Sequence, residues 1–173
     1  MYQPNDTVLY GVHGVCKVRE IAQRSYDGQT REYYVLCPLY HDSSVLYVPV
    51  DNKALTEKIH AVLSAEQIRA LIQSMPQEGV LWIEDEKERK VVYKEILERG
   101  DRKELVGMIK ALHLHEQKQK EKGRKLHMAD ERFFKTAEKV LYDEFALVLN
   151  IQPEQVLPFI MQQIHLEEKQ AAL

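Results

Sequence analysis

The hydrophobic period of this chain changes once, near Asp51-Asn52, and that change constrains the architecture more than any other feature. Before it, four runs are rich in Val, Ile, Leu and Tyr: TVLY (7–10), VCKVREI (15–21), EYYVL (32–36) and VLYVPV (45–50). β-Branched and aromatic residues suit a pleated, half-buried surface. The runs are bounded by Gly11, Gly14, the Asp27-Gly28 pair and the polar stretch 41–44. Asp-Gly between strand-like runs signals a hairpin, and its polar neighbours suggest a loop longer than two residues. Pro49 cannot donate to a ladder, so it marks an edge strand or a strand end. Four or five short strands with tight turns predict a small, strongly bent antiparallel sheet or partial barrel.

After Asn52 the spacing becomes helical. Ser64-Ala-Glu-Gln67 reads as a capping box, opening a helix that Pro76 closes. A charged helix is expected over 84–99, broken at Gly100-Asp101. Asp101 and Glu104 read as a second box, before Leu105, Met108, Ile109 and Leu112 on one stripe. Gly123 suits a C′ position, and Asp130 is expected to cap the apolar helix that follows. Pro153 suits the first turn of a last helix. The fold class is therefore α+β: a β module over 1–53, then an all-α domain over 54–173 that is large enough for a core of its own.

Charge is uneven along the chain. Residues 86–125 hold 13 Lys/Arg against 8 Asp/Glu, although the whole chain is at −3. A basic middle between acidic flanks suggests a local surface for a polyanion; the alternative is a solvated helix laced with ion pairs. No run of about 18 apolar residues is present, so no membrane span is expected. The N-terminus lacks the pattern of a secretory signal, and two cysteines make a disulfide framework implausible, so a cytoplasmic location is expected.

Catalytic chemistry is not legible. His113 and His115 are two apart, which on a helix points them to nearly opposite faces rather than to one metal. No phosphate-binding glycine loop, nucleophile elbow or HExxH helix occurs. The expectation is a non-enzyme with no metal and no cofactor.

Two regions together resemble the CarD/CdnL family of bacterial transcription regulators. One is DTVLYGVHGVCKVREI with REYYVL and LYVP; the other is LWIEDEKERKVVYKEILERGDRKELVGMIKAL with KLHMADERFFKTAEKVLYDEFA. The resemblance implies a Tudor-like N-terminal module that docks on the RNA polymerase β subunit. It also implies a helical domain on promoter DNA at the upstream edge of the bubble, where a tryptophan wedges into the minor groove and stabilises the open complex.

Trp82, the single tryptophan, occupies the wedge position. The cations that would neutralise phosphates are Lys87, Arg89 and Lys90, with Arg124, Lys125 and Arg132 from a second cluster. For Trp82 the alternative is a hydrophobic staple packed back on Val91 or Val92. On the polymerase face the resemblance points to Arg24, otherwise a solvated loop residue, and to Tyr47 and Pro49. Tyr47 stands where the family pattern carries another arginine, and the stretch from Trp82 to Gly100 is about one helical turn longer than in that pattern. A monomer is expected. The competing function is a protein–protein adaptor that binds no DNA.

Overall fold

The computed structural model describes residues 1–40 and 43–171. Strands β1 (Thr7–Tyr10), β2 (Val15–Tyr26), β3 (Gln29–Pro38), β4 (Leu46–Pro49) and β5 (Ile59–Ala61) form one antiparallel sheet in the order β4-β3-β2-β1-β5. The first four are the strands expected from the sequence, with β2 and β3 longer. β5 was not expected: three residues are too few to display a period. It pairs with β1 through Val8 and Ala61, so the sheet continues beyond residue 53, after the short helix α1 (Lys53–Thr56). The turn expected at 41–44 lies partly outside the described residues.

The β2–β3 connection is Asp27-Gly28 alone, with φ of 49° and 76°. Two consecutive positive φ values make the mirror-image turn that matches strand twist, so the loop is shorter than its polar neighbours suggested. A bulge between Val18 and Glu20 resets the alternation of β2. Cys16 and Val18 before it and Ile21 after it thus reach one core. Every strand feeds that core, through Val8, Cys16, Val18, Tyr34, Leu36, Val48 and Ile59. A sheet whose edge strands share one interior must curl, which fits a Tudor-like partial barrel.

The helices are α2 (Ala65–Ser74), α3 (Glu86–Arg99), α4 (Arg102–Glu121), α5 (Met128–Leu149) and α6 (Pro153–Ala171). The Ser64 box is complete: Ser64 Oγ accepts from the Gln67 N–H at 3.1 Å and Gln67 Oε1 from the Ser64 N–H at 2.8 Å. The second box is half formed. Asp101 accepts from the Glu104 N–H, but Arg99 takes the Glu104 carboxylate at 2.9 Å. Asp130 is not a cap: α5 begins at Met128 after His127, which places Asp130 inside the first turn.

The helical half does not keep wholly to a core of its own. One core is helical, built on Ile68, Ile72, Val106, Phe145, Val156 and Ile160. The other is shared: Leu9 and Val15, cross-strand partners on the sheet's outer face, pack with Tyr93, Ile96, Met108, Leu112 and Val140. Alternation along β1 explains this, since Val8 and Leu9 point to opposite faces. Among the described residues no helix is long and apolar enough to cross a membrane.

Candidate nucleic-acid and polymerase interfaces

Trp82 stands on an irregular lead-in to α3, and hydrogen bonds fix the backbone on both sides of it. Leu81 donates its N–H to the Gly107 carbonyl at 3.1 Å, and its own carbonyl accepts from the Tyr93 hydroxyl at 2.8 Å. Burial pushes that hydroxyl up to a pKa of about 12, so it remains a donor. After Trp82, Arg89 Nη1 donates to the carbonyls of Ile83 at 2.7 Å and Glu84 at 3.3 Å. Gly107 permits the approach: a Cβ there would come within 3.1 Å of the Gly79 oxygen.

The indole is half-buried and packs against the shared core. The His115 imidazole stacks on it at 4.0 Å between centroids and 21° between planes. The Arg89 guanidinium carbon lies 4.4 Å from the ring centroid. Burial holds the His115 pKa below its ordinary value, with Asp130 acting against that shift.

Arg89, expected to meet phosphates, is not available to them. Its residue is 3% exposed, and its Nε and Nη2 form a two-pronged pair with Asp130 at 3.0 and 2.9 Å, with Asp130 itself 1% exposed. The reason is position: Arg89 is one turn into α3 on the side facing α5, where a charge left without its partner would be costly.

The other expected cations are on the surface. Lys87 and Lys90 are exposed, and Lys94 continues their face of α3 at helical spacing. Lys90 pairs with Glu86 at 2.6 Å, a contact that holds the Glu86 carboxyl below its usual range. The helix expected from residue 84 begins at Glu86: Asp85 is its N-cap, accepting from the Glu88 N–H at 2.8 Å, and Glu84 lies ahead of it. Arg124 and Lys125 are exposed between α4 and α5. Arg132, also exposed, joins Lys90 and Lys94 around a hollow of about 450 Å³ that reaches Val12 of the β module. Lys94 was missed by sequence reasoning, although its spacing from Lys87 and Lys90 carries the signal. Among the described residues no group of three or more His, Cys, Asp or Glu is placed to hold a metal ion.

On the sheet, two of the residues expected at the polymerase face come together: the Arg24 guanidinium carbon is 5.8 Å from the Tyr47 ring centroid. Tyr33 meets Tyr47 edge-on at 6.5 Å and Tyr26 at 5.9 Å. Pro49 pairs across the sheet with Tyr33. Tyr26 and Tyr47 are 57% and 41% exposed, which makes a row of aromatics on the surface of the sheet.

Residues 2–62 match the family model of the CarD-like/TRCF RID domain. The N-terminal module is a CarD-like/TRCF RID domain. The match covers about a third of the chain and makes the β module similar to the RNA polymerase-interacting domain of CarD-like proteins. No curated protein matches the chain. The RID domain ends one residue beyond β5, so its boundary coincides with completion of the sheet rather than with the change of period. Tyr26 and Tyr33 are further candidates within the RID domain. Their side of the sheet follows from the hairpin register, which sets Tyr26 against Gln29 and Ala22 against Tyr33.

Proposed function

We propose that this chain binds the RNA polymerase β subunit through the Arg24–Tyr47 face of its RID domain, and that its helical half contacts promoter DNA at the upstream edge of the bubble. Trp82 acts there as a minor-groove wedge that prolongs the open complex, without catalysis, in the cytoplasm and as a monomer. The observation that carries this reading is the setting of Trp82: the only indole of the chain, half-buried on a hydrogen-bonded lead-in, at the start of a helix with a cationic face. A wedge of this kind loses a few kcal/mol in unstacking and recovers it by holding bent or opened duplex. Lys87, Lys90, Lys94 and Arg132 would set register on phosphates without reading sequence. The test is Trp82→Ala: polymerase binding persists while the open-complex lifetime falls. An unchanged lifetime with a folded variant overturns the wedge.

The adaptor reading draws on a different feature. An apolar groove of about 330 Å³ runs between α4, α5 and α6, with Leu157 and Met161 47% and 46% exposed beside it. A fluorescence titration of Trp82 with fork-junction DNA separates the two: no change in emission favours the adaptor.

A further inference from the structure

The Arg89–Asp130 pair carries more of the site than its charges suggest. Asp130 lies in the first turn of α5, where the helix dipole favours a carboxylate, and it is almost entirely buried. Both of its oxygens are taken by Arg89, one by Nε and the other by Nη2. This fork fixes the plane of the guanidinium. With the plane fixed, Nη1 reaches the Ile83 and Glu84 carbonyls and the carbon sits 4.4 Å from the Trp82 ring centroid. One side chain therefore holds the backbone that follows the indole and packs on the indole itself. Lysine has neither the planar fork nor the flat face to do both.

Stability alone is a poor reason for this arrangement. A buried ion pair is often no more stabilising than well-packed apolar residues of the same volume. What the pair supplies that apolar packing does not is direction, because guanidinium–carboxylate geometry is fixed in two dimensions. We infer that Asp130 is a positioning residue: acting through Arg89, it sets the orientation in which Trp82 is presented, and neither charge touches the ligand. The functional half of this inference rests on the reading of Trp82 as the DNA-facing residue; the geometric half does not.

Because Trp82 is the only tryptophan, its fluorescence reports the geometry directly. In the full chain, Asp130→Asn red-shifts the emission and raises acrylamide quenching, with far-UV circular dichroism unchanged. Asp130→Glu, which keeps the carboxylate, restores part of the native signal. Glu144→Gln breaks a different buried pair and leaves Trp82 emission native, which separates positioning from general loss of stability. In the open-complex assay, Asp130→Asn shortens the lifetime toward that of Trp82→Ala, and the double variant loses nothing more. Native quenching in a folded Asp130→Asn variant overturns the inference, as does an added loss in the double variant. Should Asp130→Asn not fold, Arg89→Lys is read by the same criteria. If Trp82→Ala itself leaves the lifetime unchanged, the wedge reading fails while the fluorescence result still decides the role of Asp130.

Discussion

Arg102 and Glu144 approach to 2.7 Å, and the pair joins three segments that are distant in sequence. Arg102 Nη2 also donates to the carbonyl of Ala61 at the end of β5, and Glu144 Oε1 accepts the N–H of Leu63 ahead of α2. Glu144 is fully buried, so every partner it has is protein. Glu144→Ala leaves Arg102 and the Leu63 N–H without it, and stability falls by about 3–5 kcal/mol, as for other broken buried pairs. Urea unfolding measures this. Exposed pairs such as Lys135–Glu131 should give less than about 1 kcal/mol in the same assay.

The Arg24–Tyr47 contact predicts coupling in polymerase binding. Arg24→Glu and Tyr47→Ala each weaken binding to a β-subunit fragment while circular dichroism keeps the native signal, because both side chains are at the surface. Their effects are not additive. A stacked cation and ring contribute about 0.5–1 kcal/mol, which a double-mutant cycle detects as an interaction energy of that size. Full additivity would mean that the two residues meet the polymerase independently.

His115 makes the Trp82 site sensitive to acid. Its pKa in the folded chain lies below the ordinary 6.5, chiefly through burial, with Arg89 and His127 adding to the shift and Asp130 and Glu84 opposing it. The unfolded chain therefore binds the proton more readily than the folded one. The contribution of neutral His115 to stability is complete above the ordinary value and is lost as pH falls below it. Trp82 emission, followed from pH 7.5 down to 5, should change over that window in the wild type. In His115→Gln that transition disappears.

How much of this was legible in the sequence depends on the range of the interaction. β1 to β4, the Ser64 box, the stops at Pro76 and Gly100 and the start at Pro153 are local chemistry, and they lie where residue type puts them. β5 exists only because β1 offers it a partner, so no three-residue window announces it. Asp130 illustrates the same limit from the other side: a carboxylate near a helix start suggests a cap, and only the fold supplies the competing arginine, 41 positions away. The tyrosine row was within reach. Reading Asp27-Gly28 as a two-residue turn fixes the register, and the register puts Arg24, Tyr26 and Tyr33 on one side.

Gly107 predicts a steric effect on the same site. A Cβ at this position meets the Gly79 oxygen at 3.1 Å and Leu81 Cβ at 3.5 Å, and both neighbours belong to the segment that carries Trp82. Gly107→Val drives two methyl groups into that contact and costs about 1–3 kcal/mol by overpacking. The lead-in must shift to accommodate them, so Trp82 emission moves with stability. Loss of stability with native emission would mean that α4 yields instead of the lead-in.

The surface cations and the buried one should separate cleanly in the salt dependence of DNA binding. With roughly 3 to 5 phosphates neutralised, the slope of log affinity against log salt is about −2.7 to −4.5. Lys94 and Arg132 line the hollow between α3 and α5, so Lys94→Ala and Arg132→Ala should each reduce the slope by about 1 while weakening all sequences alike. Arg89 is engaged with Asp130 and two carbonyls, and it has no donor left over that solvent reaches in quantity. Arg89→Gln should therefore destabilise the fold, yet binding measured below its melting temperature keeps the wild-type slope. A reduced slope for Arg89→Gln with Lys94→Ala unchanged would mean that the buried pair opens on DNA and that the helical face assigned here to phosphate is the wrong one.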